Sequence, residues 1–148
     1  MGLIDFVKEA GESLLKKAGE SREAASGAVS KRIQELGLSV EGLKVNVDGE
    51  KAVVSGKAAN QAEREKAILA AGNTQGVAQV DDQLSVADAE PESQYHRVES
   101  GDTLSKIAKQ YYGDLSKYPA IFEANQPMLK DPDKIYPGQV LRIPPLAD

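Results

Sequence analysis

A polar segment beyond the middle of the chain divides it into two blocks, and neither block is large. The segment reads ADAEPES, residues 87–93, and its Pro91 and charged side chains are typical of a linker between domains. The chain has 148 residues, which is enough for one ordinary domain or two small ones. We therefore place a linker at residues 88–94 and expect one small domain on each side, at residues 22–87 and 95–146.

The block at residues 22–87 carries the pattern of a helix, a β-hairpin, a second helix and a last strand. Apolar residues alternate with polar ones from Leu43 to Val47, as in a half-buried strand. The Asp48-Gly49 pair that follows is a strong signal for a hairpin turn. The residues before the hairpin have the apolar spacing of a helix, and a capping-box pattern after it predicts a second helix. A last alternation of apolar and polar residues predicts the final strand. The order is α-β-β-α-β, a small α+β sandwich. These three patterns are carried by Ala25, Val29, Ile33 and Leu36, by Asn60 and Glu63, and by Val80, Leu84 and Val86.

The block at residues 95–146 has the order β-α-α-β. The segment YHRVES is predicted to be a short strand, and YPGQVLRIP to be a turn followed by a strand. Two apolar stripes with helical spacing lie between them, the first with Asp102 or Thr103 as its cap. The stripes consist of Leu104, Ile107, Ala108 and Tyr111, and of Tyr118, Ile121 and Phe122. His96 falls in the first strand, where we expect it on the solvent side.

Residues 1–20 are predicted to form a short amphipathic helix in front of the two domains. Its apolar stripe consists of Leu3, Val7, Ala10 and Leu14. The polar side mixes acidic and basic residues, whereas helices that bind membranes prefer a strongly basic polar face. We expect the helix to dock on its own protein, with a membrane-surface or partner-binding role as the alternative.

The composition argues against several classes of function. The chain contains no cysteine and a single histidine, which leaves little room for thiolate chemistry or a histidine-rich metal site. Its net charge of −5 argues against nucleic acid as a partner, because nucleic-acid binders present a basic face to the phosphates. Asp81 and Asp82 resemble a pair for acid–base catalysis, but neighbours in a strand point to opposite faces and cannot cooperate. We therefore expect no enzyme activity.

Charged residues interrupt the apolar residues near the start of the chain. A secretory signal needs an apolar run of about 7–15 residues, and a membrane span needs about 20. The sequence shows neither, so we expect a cytoplasmic protein without stable insertion in a membrane.

Residues 95–144 resemble a LysM domain, through YHRVESGDTLSKIAKQYYGD, IFEANQP and IYPGQVLRIP. This resemblance implies a shallow groove between two loops, in which LysM domains bind N-acetylglucosamine polymers. The positions of this chain that would line the groove are Gly101, Asp102, Thr103, Leu104, Asn125, Met128 and Ile135. Residues 101–103 also have a plain structural role, which we favour, because they turn the chain and cap a helix.

Residues 22–87 resemble a BON domain, a small α+β module usually found in envelope proteins, through the element order, VSG and AAGNTQGVAQVDDQL. One BON domain followed by one LysM domain, with MGLIDFVKEAGE in front, is similar to a family of bacterial cytoplasmic potassium-binding proteins. The family resemblance implies selective binding of K⁺, a change in shape on binding and no catalysis. We expect the protein to be a monomer.

A K⁺ site is best formed by neutral main-chain carbonyl oxygens, whereas carboxylate-rich loops suit Ca²⁺ and Mg²⁺. Two places can present spare carbonyls: the end of the N-terminal helix near Gly11, and the bend GNTQGV after the second helix of the BON block. The family resemblance suggests that the site forms where these two places meet. Asp82 falls on the same strand face as Val80 and Leu84, which suggests either a hydrogen-bonded edge position or electrostatic support for an ion. The expected ligands are main-chain oxygens of Val7, Ala10, Glu12, Gly72, Thr74 and Val77.

The alternative function is that of a peptidoglycan-associated envelope stress protein, in which the LysM domain holds N-acetylglucosamine polymers. Weak association with peptidoglycan or a membrane surface is part of that alternative. The two functions differ in whether the protein is exported. The interrupted apolar run near the start of the chain argues against export and so favours the K⁺-binding function. On that hypothesis the LysM domain is a packing surface that closes over the BON domain when the ion is bound.

Overall fold

The computed structural model describes residues 2–6, 22–74, 76–87 and 92–145. The strands are β1 (Gly2–Asp5), β2 (Val40–Asp48), β3 (Lys51–Ala58), β4 (Gln79–Val86), β5 (Gln94–Arg97) and β6 (Val140–Ile143). The helices are α1 (Arg22–Glu35), α2 (Gln61–Gly72), α3 (Leu104–Tyr112) and α4 (Tyr118–Ala124), with a 3-10 turn at Leu115–Lys117. The α+β class and the orders α-β-β-α-β and β-α-α-β are confirmed. No helix in these ranges has the length and hydropathy needed to cross a bilayer.

The first unit is built on a sheet with the strand order β1-β4-β3-β2. The predicted hairpin joins β2 to β3, and Gly49 in its turn has a φ of 65°, a conformation that favours glycine. Strands β3 and β4 run parallel, and α2 forms the connection between them. Helices α1 and α2 contact each other and pack on the sheet. The residues at the centre of this core include Val29, Ile33, Val54, Ile68, Leu69 and Val80.

Helix α2 begins where the capping-box pattern predicts. The side chain of Asn60 accepts a hydrogen bond from the Glu63 N–H at 2.9 Å. The carboxylate of Glu63 accepts a hydrogen bond from the Ser39 N–H at 2.9 Å, instead of serving as the second half of a capping box. Glu63 therefore ties the start of α2 to the loop before β2.

In the second unit, β5 and β6 pair antiparallel, and the helices pack on them around a separate core. Strand β5 starts at Gln94, one residue earlier than expected. Thr103 is the cap of α3, because its side chain accepts a hydrogen bond from the Lys106 N–H at 3.1 Å. Pro119 lies in the first turn of α4, where a missing N–H is tolerated. The core includes Leu104, Ile107, Ala108, Ile121 and Leu141.

The predicted N-terminal helix is wrong for its first residues. Gly2–Asp5 is a strand that pairs antiparallel with β4, and Leu3, expected on an apolar stripe, is 56% exposed. The edge of β4 presents N–H and C=O groups that need partners, and a strand satisfies them along its whole length. The first turn of a helix, by contrast, is costly to form. The rest of the predicted helix, residues 7–20, lies outside the described residues.

Candidate functional site

The C-terminal end of α2 leads into a tight turn inside the protein. Gly72, Thr74 and Val77 are all buried there. The Thr74 hydroxyl donates a hydrogen bond to the Ala70 carbonyl at 3.0 Å, and the Val77 N–H donates one to the Thr74 carbonyl at 3.0 Å. These hydrogen bonds tie Thr74 to the end of α2 and to Val77.

Phe6 brings the N-terminal segment to this turn. Its N–H donates a hydrogen bond to the Ala78 carbonyl at 2.8 Å, and its buried ring lies on Gly72. A Cβ atom at Gly72 would overlap the ring, so glycine leaves the room that Phe6 needs. The end of the described N-terminal segment is thus in contact with the turn, one residue before Val7.

Three of the six predicted ligand residues, Gly72, Thr74 and Val77, lie together in this turn. The other three, which lie outside the described residues, are Val7, Ala10 and Glu12. The turn follows the C-terminal end of α2, where the partial negative charge of a helix favours a cation. In the described ranges no three His, Cys, Asp or Glu side chains are grouped as metal ligands.

Asp81 and Asp82 differ in burial as expected for neighbours on opposite faces of β4. Asp82 is buried, and its Oδ2 accepts a hydrogen bond from Nε of Arg64 at 3.0 Å. Its Oδ1 accepts one from the Leu84 N–H at 3.0 Å. Asp81 accepts a hydrogen bond from the Gln83 side chain at 2.9 Å. Asp82 is thus a hydrogen-bonded structural residue, and the two carboxylates have separate partners.

A buried ion pair joins the two units. Nε of Arg142 in β6 donates to Oε1 of Glu65 in α2 at 2.8 Å, and Glu65 is 1% exposed. The other oxygen of Glu65 accepts hydrogen bonds from Nε2 of Gln61 at 2.7 Å and from the Ser93 N–H at 2.9 Å. Burial alone would raise the pKa of Glu65, but the hydrogen bonds from Gln61, Ser93 and Arg142 outweigh it and lower that pKa. Glu65 is therefore ionised at neutral pH.

A second polar contact joins the turn after α2 directly to β6. Nδ2 of Asn73 donates a hydrogen bond to the Val140 carbonyl at 2.8 Å, and the Val140 N–H donates one to Oδ1 of Asn73 at 2.9 Å. The Val140 side chain belongs to the core of the first unit, and Tyr95 and Met128 of the second unit pack against that core. Among the described residues, the interface between the units therefore combines apolar packing with the polar contacts of Glu65 and Asn73.

Sequence patterns differ in how well they reveal these two polar contacts, neither of which we predicted. Glu65 falls on the same helical face as Ile68 and Leu69, and a charge on a buried face requires a partner. Arg142 inside the apolar strand β6 is a signal of the same kind. Asn73 carries no such signal, because asparagine is common just after a helix for local reasons.

Several of the predicted groove residues have structural roles in the second unit. Asn125 is 1% exposed, and its Oδ1 accepts a hydrogen bond from the Arg142 N–H at 2.9 Å. Its Nδ2 donates to the Arg142 carbonyl at 3.0 Å and to a main-chain carbonyl of α4 at 2.7 Å. Met128 packs against the core of the first unit, while Leu104 and Ile135 belong to or pack against the core of the second.

The remaining groove residues, Gly101 to Thr103, form a loop near the surface. Asp102 accepts a hydrogen bond from the Glu99 N–H at 2.8 Å, and its Oδ2 lies 2.9 Å from Nε2 of His96. These two hydrogen bonds lower the pKa of Asp102. His96 is buried, so its expected place on the solvent side is wrong; its other ring nitrogen lies 3.0 Å from the Tyr111 hydroxyl. Two polar partners make burial of the ring favourable.

Comparisons with known proteins match both units. The family model of the BON domain matches residues 21–88, and that of the LysM domain matches residues 96–144. The chain is 50% identical over 151 aligned residues to the potassium binding protein Kbp of Escherichia coli O6:H1, covering 97% of this chain and 99% of that protein. It is also 51% identical over 49 residues to an uncharacterized protein of Deinococcus radiodurans, covering 33% of this chain and 19% of that protein. The chain belongs to the family of the potassium binding protein Kbp, in which a BON domain is followed by a LysM domain.

Proposed function

We propose that this protein binds K⁺ through main-chain carbonyl oxygens where the N-terminal segment meets the turn after α2. The likeness to a protein named for potassium binding, over 97% of the chain, carries the choice of ion. The contact between Phe6 and Gly72 supports the location, because it holds the end of the N-terminal segment against the turn. We assign as ligands the carbonyl oxygens of Val7, Ala10, Glu12, Gly72, Thr74 and Val77.

The chemistry of the turn fits a large, singly charged ion. Carbonyl oxygens can replace the hydration shell of K⁺ without adding the negative charges that favour divalent cations. Thr74 and Val77 are fully buried, and the Thr74 carbonyl accepts a hydrogen bond from the Val77 N–H, which supports a fixed orientation for this one proposed ligand. Na⁺ is smaller, and oxygens spaced for K⁺ by a packed scaffold would coordinate it poorly.

In this proposal the LysM domain is a packing surface that closes over the BON domain when K⁺ binds. The interface supports this role, because Met128 and Val140 pack on the BON core and Asn73 joins the ligand turn to β6. The protein would then act as a monomeric K⁺ sensor or buffer in the cytoplasm, without catalysis.

Titration calorimetry on metal-stripped protein, with KCl and NaCl at matched ionic strength, tests the choice of ion. We expect saturable binding of K⁺ and much weaker binding of Na⁺. K⁺ should also raise the melting temperature, since a ligand bound by the folded form alone adds about 2.7 kcal/mol at a hundredfold excess over Kd. Equal responses to the two salts would contradict selective K⁺ binding.

The Gly72→Ala variant tests the location of the site. The added methyl group would overlap the Phe6 ring and displace the N-terminal segment, so we expect K⁺ binding to be lost. Gly27→Ala is the matched control, because Gly27 lies in α1 with open space around a Cβ atom. Adding Phe6→Ala to Gly72→Ala removes the overlap and should restore part of the binding. If Gly72→Ala binds K⁺ as tightly as the wild type, the site lies elsewhere.

Binding of N-acetylglucosamine polymers, in a peptidoglycan-associated stress role, is the alternative function, and the LysM match at residues 96–144 supports it. In this chain Asn125 is hydrogen-bonded to Arg142 and Met128 packs on the BON core, so those two groove positions are engaged. We expect chitin oligomers to bind weakly or not at all. Micromolar binding of chitin oligomers in the same calorimeter would favour the alternative.

A further inference from the structure

Asn73 connects α2 to the LysM domain through both its main chain and its side chain. Its N–H donates a hydrogen bond to the Leu69 carbonyl at 2.8 Å, which closes the last turn of α2. Its carboxamide exchanges two hydrogen bonds with the main chain of Val140, at 2.8 and 2.9 Å. The residue is therefore fixed to a helix of one domain and to a strand of the other.

The same residue lies between two proposed ligands in the chain, Gly72 and Thr74. The Gly72 carbonyl and the Asn73 N–H belong to one rigid peptide plane, and the hydrogen bond from that N–H to the Leu69 carbonyl holds the plane in the last turn of α2. On its other side Asn73 is bonded to Thr74, which is a proposed ligand as well. The ion pair between Arg142 and Glu65 holds the same strand against α2 at a second point.

We propose that Asn73 is a positioning residue that couples K⁺ binding to docking of the LysM domain, an inference that rests on the proposed function. With its side chain held by Val140 and its N–H held by Leu69, Asn73 is anchored at two points, and the turn that carries the proposed ligands is held against β6. Without that contact, Asn73 keeps its helical hydrogen bond to Leu69 but loses its link to β6, so the chain that leads on to Thr74 is held less firmly. Such coupling is reciprocal: the factor by which docking strengthens K⁺ binding equals the factor by which K⁺ strengthens docking. The ion can then close the two domains without any ligand from the LysM domain.

The contact needs asparagine because the side chain must donate and accept hydrogen bonds at the same time. Aspartate has nearly the same shape and can still accept a hydrogen bond from the Val140 N–H. Its second oxygen, however, would face the Val140 carbonyl and be repelled by it. Alanine loses both hydrogen bonds.

The K⁺ affinity of full-length Asn73→Ala and Asn73→Asp tests this role. We expect each variant to bind K⁺ about tenfold more weakly, the loss that one or two neutral hydrogen bonds account for. Asn60→Ala is the matched control, because Asn60 caps the other end of the same helix through the Glu63 N–H. It should lower the melting temperature and leave the K⁺ affinity unchanged.

Combining Asn73→Ala with Glu65→Gln distinguishes coupling from a purely structural role. The measured quantity is the effect of Glu65→Gln on K⁺ affinity with and without Asn73→Ala, and a purely structural role would make the two effects equal. Glu65→Gln weakens the contact with Arg142 without altering the turn, so we expect it to weaken K⁺ binding in the wild-type background. In the Asn73→Ala background it should have little effect on K⁺ affinity, because the connection between docking and the turn is already broken. Equal effects of Glu65→Gln in the two backgrounds would overturn the coupling.

The possible outcomes separate this inference from the proposed function. A wild-type protein that shows no K⁺ binding would overturn both. A wild-type protein that binds K⁺, together with Asn73 variants of unchanged affinity, would overturn the coupling alone. If Asn73→Ala does not fold, Asn73→Asp, which keeps one of the two hydrogen bonds, decides the question.

Discussion

Burial of a single carboxylate illustrates how individual residues set the geometry of the domain interface. Removing a charge from water costs several kcal/mol, and a partner offsets this cost when the geometry is good and the other polar atoms are bonded. Glu65 meets these conditions through Gln61, Ser93 and Arg142. Arg142 meets them as well, because its Nη1 also donates to the Ala124 carbonyl at 2.9 Å. The pair therefore specifies how β6 lies on α2.

Replacing Glu65 with leucine should strongly destabilise the protein. The substitution leaves the Arg142 charge buried without its partner, which typically costs about 3–5 kcal/mol of unfolding free energy. Adding Arg142→Leu removes the isolated charge and should recover much of that loss. Urea unfolding at pH 7 measures both variants. A double variant no more stable than the single one would show that the charge is not the cause.

Stability should fall in acid because of Glu65 and Asp102. Both carboxyl groups have a lower pKa in the folded protein than their ordinary values of 4.5 and 3.8. Their contribution to stability is therefore complete above those ordinary values and is lost as the pH falls through the folded-state pKa values. Unfolding measured between neutral and acid pH should show this decline, and Glu65→Gln should lose less stability on acidification than the wild type. Parallel profiles for the wild type and Glu65→Gln would contradict a role for this carboxylate.

Helices and strands could be predicted from the sequence wherever residues near each other in the chain decide the structure. Apolar spacing placed α1 to β4 and β5 to β6, because each element buries one face. The turn at Asp48-Gly49 and the cap at Asn60 were also predictable from the residues themselves. Strand β1 was missed because its partner β4 is distant in the chain, and residue spacing does not report a distant partner. The ligand positions rest on family resemblance, since main-chain oxygens leave no side-chain signature.

The two glycines Gly27 and Gly72 lie in helices, and the same substitution should have opposite effects on stability. Gly27 has open space around a Cβ atom, so Gly27→Ala should raise the unfolding free energy by about 0.5–1 kcal/mol, as expected for glycine in the middle of a helix. Gly72→Ala should lower it, because the methyl group displaces Phe6. Thermal unfolding of the two variants side by side measures the difference. A stabilised Gly72→Ala would show that the contact with Phe6 is dispensable.

For the whole molecule, the two cores predict that the LysM domain can fold by itself but with lower stability. A fragment of residues 93–148 keeps its own core around Ile107 and Ile121. It also exposes Val140 and leaves Arg142 without Glu65. We expect native-like circular dichroism and a melting temperature below that of the same domain in the full chain. An unfolded fragment would show that the BON domain is required for its fold.

The pairing of β1 with β4 also imposes an order on folding during synthesis. Strand β1 leaves the ribosome before β4, which is made only after α1, β2, β3 and α2. Closing so long a loop costs entropy, and contacts between residues distant in the chain form late for this reason. The hairpin of β2 and β3 can therefore form on the nascent chain while β1 is still unpaired. Phe6 can pack on Gly72 only once β1 has paired with β4, so β1 and Phe6 fold later than elements that follow them in the chain.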